Sequence, residues 1–248
     1  MRKFICLLLA VLFLLPLFPS ALAADAWGLS FPNPGEKPVG NAASETLLEY
    51  GSYFVADTEE KVIYLTFDAG YENGYTEQIL DVLQHTETPA AFFLLGTYIR
   101  DYPELIKRMV NEGHTVANHT MNHPDMTKIC RETFAKELSE PEEHYEMITG
   151  EPMAKLYRPP SGKYSTENLA LAKELGYTTL FWSLAYVDWY DNDQPTKEQA
   201  FSKLIPRIHP GAIILLHNTS KTNAMILEDL IKEYKSMGYR FGCVTDFL

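Results

Sequence analysis

Cysteine, basic charge and long apolar runs are all scarce in this chain, and each shortage removes a class of protein. Of its three cysteines, Cys6 falls in an N-terminal leader and only Cys130 and Cys243 remain. Two thiols cannot build the dense disulfide framework of small secreted modules, so the fold must rest on a core, for which 46% hydrophobic residues suffice. The 112 residues between them leave open whether they pair. Lysine and arginine number 21 against 33 acidic residues, a net charge of −12. That balance lacks the basic stripe a nucleic-acid partner would require. H-E-x-x-H is absent, and no glutamate adjoins the histidines that look metal-binding, which argues against a zinc protease.

A single apolar run, Phe4 to Phe18 with Pro16 inside it, is about 15 residues, short of the roughly 20 that span a bilayer. Arg2 and Lys3 precede it and Ala21-Leu22-Ala23 follows it, the pattern of a secretory signal peptide over residues 1–23. The expectation is an exported chain with no transmembrane segment after cleavage, an uncleaved N-terminal anchor being the alternative. The sequence sets no oligomeric state.

Residues 24–58 hold Pro32, Pro34, Gly35, Pro38 and Gly40 without sustained periodicity. They read as a lead-in lying across the domain surface, with a short helix around Glu45 to Tyr50. From Lys61 onward strand-like and helix-like stretches alternate. Strand candidates are Val62 to Phe67, Ala90 to Leu95, His114 to Ala117, Lys155 to Arg158, Tyr177 to Trp182, Ala212 to Leu216 and Tyr239 to Val244. Gly113, Gly176 and Gly238 close the helices before three of them, where a left-handed cap belongs. Pro103 opens another helix, whose Leu105, Ile106, Met109 and Val110 form one apolar face. Such alternation means an α/β fold with a parallel sheet. The reactive-looking residues fall at successive strand ends, which converge in a (β/α) barrel and would spread along an edge in a doubly wound sheet. The fold class is therefore an irregular (β/α) barrel of about seven parallel strands.

Asp68 ends the first long strand. His119 and His123, four apart, can face one side of a helical turn or tight loop and suit a borderline metal such as zinc, though two loop histidines need not bind anything. Arg158 could orient a carboxylate through a paired hydrogen bond or simply sit on the surface beside its Pro-Gly turn. Asp188 adjoins Trp189, a residue that stacks on sugars or fills a core. His217 ends a buried run and is a candidate general acid if a carboxylate faces it.

In order along the chain, TFDAG (66–70), HTMNHP (119–124), RPPSG (158–162), AYVDW (185–189) and LLH (215–217) resemble the five signatures of polysaccharide deacetylases with a NodB-type domain, carbohydrate esterase family 4. Those signatures are TFDDG, H-S/T-x-x-H-P, R-x-P-x-G, D-x-x-D-W and L-x-H. GYENGYT (70–76), LIKRM (105–109) and Trp27-Gly28 further resemble the branch that removes N-acetyl groups from peptide-free muramic acid on the way to muramic δ-lactam in spore cortex. The resemblance implies a NodB-type catalytic domain over residues 59–248, a peptidoglycan glycan strand as partner, and a place outside the cytoplasm at the cell wall or spore envelope. It implies Asp68 as general base, His217 as general acid, Arg158 holding Asp68, and Asp188 tuning its neighbours. It also implies His119 and His123 on a divalent metal, zinc by donor type. Ser161 would lie in a turn whose backbone N–H meets the oxyanion, Leu215 in the acetyl-methyl pocket, and Trp189 on the groove wall. Two positions depart from the family. Ala69 replaces the aspartate that is the third metal ligand, which weakens the site unless Glu72 or Asn73 compensates. Ala185 replaces the first aspartate of D-x-x-D-W. A deacetylase of chitin oligomers or xylan, or an inactive glycan-binding relative, are the competing readings.

Overall fold

Val62–Ala69 is buried at every position, as a strand covered on both faces of a parallel sheet must be. Its even-numbered residues face the inside of a curled sheet, where Val62 and Tyr64 join Ala91, Phe93, Ala117, Leu156, Leu180 and Ile213. Its odd-numbered residues Ile63, Leu65, Phe67 and Ala69 face the surrounding helices. This period of two sends Asp68 inward at the strand's C-terminal end.

The computed structural model describes residues 25–248; the leader expected over 1–23, with Cys6, lies outside them. Strands and helices alternate as β1 (Ser52–Tyr53), β2 (Val62–Ala69), α1 (Thr76–His85), β3 (Ala91–Leu94), α2 (Pro103–Asn111), β4 (Thr115–Asn118) and α3 (Arg131–Thr149). There follow β5 (Leu156–Tyr157), α4 (Thr166–Glu174), β6 (Thr178–Leu180), β7 (Leu184–Ala185), α5 (Lys197–Leu204), β8 (Ile213–His217), α6 (Lys221–Ser236) and β9 (Arg240–Phe241). The main sheet runs β7-β8-β2-β3-β4-β5-β6-β1, with every pair parallel. β9 pairs with the start of β2.

The sheet is the curled, parallel one the alternation implied, with an eighth strand on its path. Two short strands account for the difference. The stretch taken as one strand, Tyr177 to Trp182, pairs with β5 on entry and continues as β7, which pairs with β8. One chain segment thereby draws the two ends of the sheet toward each other. The lead-in also enters the sheet instead of only lying on the surface. Ser52 and Tyr53 pair with Thr179 and Leu180, while Val55 bridges to Ala212. Trp27, Leu47 and Phe54 of the same segment are buried with Tyr164 and Phe181.

The glycine joints behave as their positions require. Gly113, Gly176 and Gly238 have φ of +82°, +85° and +87°. After each, the next N–H reaches back five residues, from His114 to Met109, Tyr177 to Ala172 and Tyr239 to Tyr234. This pattern satisfies the last helical carbonyls and turns the chain into a strand. Cys130 is exposed and Cys243 partly buried, both as free thiols. Among the described residues no helix is long and apolar enough to cross a membrane.

Gly211 fastens the lead-in to the sheet. It has φ +76°, and a Cβ there would lie 2.4 Å from the Ala56 carbonyl oxygen, beside the Ala56 N–H bond to its own carbonyl. At Gly113 the backbone is equally left-handed but the space is open. Thermal melting should therefore separate them: Gly113→Ala costs about 1 kcal/mol from conformation alone, whereas Gly211→Ala costs about 2–4 kcal/mol because the clash is added. Equal costs would show that the lead-in yields freely at this point.

Candidate active site

A cleft of about 530 Å³ opens at the C-terminal ends of the strands, with Asp68, Ala69, His119, His123, Ser161, Trp189, Leu215 and His217 in its lining. Eight residues singled out from the sequence thus converge on one cavity. Arg158 and Asp188, both essentially buried, stand behind it.

Arg158 is the most enclosed charge among the described residues, at 0% exposure. Its Nη1 donates to Asp68 Oδ1 at 2.7 Å and to Thr66 Oγ1 at 3.0 Å. Nε donates to the Leu180 carbonyl at 2.9 Å and Nη2 to that of Phe181 at 3.2 Å. The guanidinium carbon lies 4.0 Å from the centre of the Phe93 ring, a favourable cation–π placement. Burial pushes the Asp68 carboxyl up, but the charges of Arg158, His119 and His217 and the Arg158 hydrogen bond more than reverse this and hold it below the usual carboxylate range. Asp68 is therefore ionised and has its second oxygen free of Arg158.

That second oxygen, Oδ2, lies 3.7 Å from His119 Nε2, too far for a hydrogen bond and suited to sharing a third atom. His119 Nδ1–H donates to the Arg158 carbonyl at 2.8 Å. This bond fixes the tautomer and leaves the Nε2 lone pair for a ligand. Burial, the largest influence, drives the imidazole down to about 4, so it is neutral at pH 7. The His123 ring centre is 5.1 Å from that of His119, and burial lowers it too. The residues are carried by a loop and not a helical turn, with Thr120 and His123 at φ +77° and +59°. Two neutral imidazoles facing one cleft beside a carboxylate fit a divalent cation held by two nitrogens, its remaining positions left to water or substrate. Among the described residues no cluster of three or more histidine, cysteine or acidic side chains forms a complete metal cage.

Glu72 and Asn73 do not replace the missing ligand. Glu72 accepts the Gly74 N–H at 2.5 Å and the Tyr98 hydroxyl at 2.9 Å. Asn73 donates to the Thr219 carbonyl at 2.8 Å. Both fasten loops and neither lines the cleft.

Opposite stands a second pair. His217 is the register partner of Asp68 on the adjacent strand, and its Nδ1–H donates to Asp188 Oδ1 at 2.7 Å. Asp188 Oδ2 accepts the His217 backbone N–H at 2.9 Å and Asn223 Nδ2 at 2.6 Å. Burial alone would lower His217, but the charge and hydrogen bond of Asp188 outweigh it and raise the imidazole above its ordinary value. Trp189 is 44% exposed, with its ring 5.6 Å from His217. Leu215 is buried beside Ala185, its register partner. Ser161 has φ +55° in a turn braced by Trp27, whose N–H bonds to the Gly162 carbonyl at 2.9 Å. Gly162 is required there: a Cβ would meet Trp182 at 2.8 Å and Trp27 at 3.0 Å.

Sequence reasoning passed over Tyr71, Leu95, Trp182 and Thr219 in the lining, and Asn223 behind it. Asn223 carried a signal, being polar on the buried face that Ile226, Leu227 and Leu230 mark on α6. Leu95 and Thr219 carried none.

The sequence pattern of polysaccharide deacetylase matches residues 55–180. The peptidoglycan-N-acetylmuramic acid deacetylase PdaA of Bacillus subtilis is 42% identical over 223 residues, covering 90% of this chain and 85% of that protein. The solved structure of Bacillus subtilis PdaA, described as a family 4 carbohydrate esterase, is similar with a TM-score of 0.86 at 40% identity, over 90% of this chain and 96% of that one. A family 4 carbohydrate esterase from Bacillus anthracis gives a TM-score of 0.73 at 41% identity, over 86% of this chain and 95% of that one.

Breaking the buried pair should cost far more than a surface bridge. Arg158→Leu leaves the Asp68 charge unpaired and is expected to lower stability by about 3–5 kcal/mol in urea denaturation. Adding Asp68→Asn to it should recover part of the loss, a coupling that independent residues would not show.

Proposed function

The chain belongs to the polysaccharide deacetylase family, and on that footing we propose that it hydrolyses N-acetyl groups from peptidoglycan glycan strands, specifically from N-acetylmuramic acid that carries no peptide. The reading is supported by one arrangement above all: Asp68 and His217 lie side by side on adjacent strands at the cleft, the carboxylate favoured in its ionised form and the imidazole shifted toward its protonated one. The similarity to the Bacillus subtilis muramic acid deacetylase supports the sugar. The leader expected over 1–23 supports action outside the cytoplasm, at the cell wall or spore envelope, and a role before δ-lactam closure follows from the same substrate.

The acetamide is resonance-stabilised, so hydrolysis needs both an activated water and a protonated leaving group. Asp68, ionised at neutral pH and anchored by Arg158 through one oxygen, uses its other oxygen to take the proton of the attacking water. The acetyl carbon becomes tetrahedral, and the Ser161 backbone N–H would stabilise the developing oxyanion. His217, protonated and oriented by Asp188, gives its proton to the departing sugar nitrogen as the carbon–nitrogen bond breaks. Acetate and a free amine result. Leu215 closes the apolar end where the methyl sits, and Trp189 offers a face to the sugar. Deacetylases of this family are generally metalloenzymes, and His119 and His123 would hold the ion. When bound, a divalent metal would supply Lewis-acid polarisation of the carbonyl and of water.

The deciding assay gives the enzyme glycan strands predigested with an amidase and follows released acetate together with mass spectra of the sugars. Acetyl loss from these strands, and none from peptide-bearing ones, is expected, with Asp68→Asn at least about 100-fold slower. Activity confined to chitin oligomers or xylan would overturn the substrate, and no activity on any of them would overturn the enzyme.

The pH profile tests the acid. His217 must be protonated to act, so kcat/KM should fall as pH rises through its raised pKa. Asp188→Asn removes the charge that holds this pKa up, and the alkaline limb should move to lower pH. An unmoved limb would remove His217 from that role.

A further inference from the structure

Glu137 is a buried carboxylate without an ion-pair partner among the described residues. It sits on the inner face of α3 at 8% exposure, and among the described residues no lysine, arginine or histidine forms an ion pair with it. Its hydrogen bonds go to the loop between β4 and α3. Oε2 accepts the backbone N–H of Met121 at 3.0 Å and of Asn122 at 2.9 Å, and Oε1 accepts Asn122 Nδ2 at 2.9 Å. Burying a carboxylate is costly unless its lone pairs are met by well-aimed donors. Here all three donors come from Met121 and Asn122, two of the three residues between His119 and His123.

The same loop is fixed from its other sides. Asn118 Oδ1 accepts the Thr120 N–H at 2.8 Å, and Thr120 Oγ1 accepts the His123 N–H at 3.0 Å. The Gly96 N–H donates to the Thr120 carbonyl at 2.9 Å. Met121 is pressed so closely on Gly96 that a Cβ there would meet its sulfur at 2.2 Å. Thr120 and His123 nevertheless stand at positive φ, a conformation non-glycine residues hold only when their surroundings impose it. A loop free of Glu137 would relax toward ordinary backbone angles and move His123, the more exposed of the two imidazoles, away from His119.

We propose that Glu137 is a positioning residue, whose carboxylate clamps Met121 and Asn122 so that His119 and His123 are pre-set for one divalent cation. Rigidity of the histidine loop then offsets part of what the absent Ala69 ligand would contribute. The inference rests on the reading of the two histidines as metal ligands.

The test titrates zinc itself into metal-stripped protein, comparing the parent with Glu137→Gln and Asn122→Ala, and records the metal-free melting temperature of each. Glu137→Gln keeps the shape but cannot accept all three bonds. Its zinc dissociation constant should rise about 10- to 100-fold, the usual effect of losing a partner that orients ligands, and kcat should fall but recover as zinc is raised. Asn122→Ala, which loses one bond at an exposed position, should shift both in the same direction by less, and it decides the matter if Glu137→Gln does not fold. Zinc affinity within twofold of the parent in the folded variants would overturn the clamp alone. A parent that takes up no zinc at neutral pH would overturn the metal reading and the clamp with it.

Discussion

The ion pair between Arg158 and Asp68 is the constraint around which the rest is arranged. A guanidinium at 0% exposure survives only where its donors are met. Thr66, Asp68, Leu180 and Phe181 meet them, and these belong to the long central strand and to the kinked stretch that brings the sheet ends together. Closure of the sheet and ionisation of the catalytic-looking acid are thus one problem solved by one side chain. The Arg158 carbonyl extends this control to His119, whose tautomer it sets. Candidate base and candidate ligand are positioned from the same residue.

Across the cleft the logic is inverted. Two carboxylates and two kinds of cation are present, yet the environments drive them apart: Asp68 is held ionised by an arginine that cannot give up its proton, and the His217 imidazole is shifted toward its protonated form by the buried Asp188 carboxylate. Pairs of groups displaced in opposite directions are how one site performs acid and base chemistry at a single pH. Adjacent parallel strands in register place the two groups as neighbours, so their separation is set by sheet geometry and needs no loop to adjust it. The loops contribute the rest of the lining, including Trp189, Tyr71 and the Ser161 turn.

Much of this was legible because it rests on short-range rules. The uninterrupted β-rich run ending in Asp68, the glycines that close three helices and the strand-end histidines each follow from local periodicity or from the demand for a left-handed residue. What escaped depends on distance along the chain. Ser52–Tyr53 and Leu184–Ala185 are too short to show a period, and they become strands only because Thr179 and Ile214 lie beside them. His119 and His123 were legible as a pair but not as a loop at positive φ, since that geometry is imposed by Glu137 and Gly96 from other elements. Arg158 read as an even choice between surface and site; no local signal tells that a Pro-rich turn delivers a guanidinium into the interior.

Ala69 illustrates what a lost ligand can leave intact. Alternation along β2 places it with Ile63, Leu65 and Phe67 on the helix-facing side, at 1% exposure, while it still borders the cleft at the strand end. A carboxylate in that position would be a second negative charge on the residue next to Asp68. Like charges so close raise each other's pKa unless a cation lies between them, so a second aspartate would make the ionisation of Asp68 depend more on a bound cation. With alanine, Asp68 has no second carboxylate beside it, and Arg158, His119 and His217 together hold its carboxyl below the usual range. On the proposed reading, the substitution removes a metal ligand while leaving the ionisation of the candidate base to the fold.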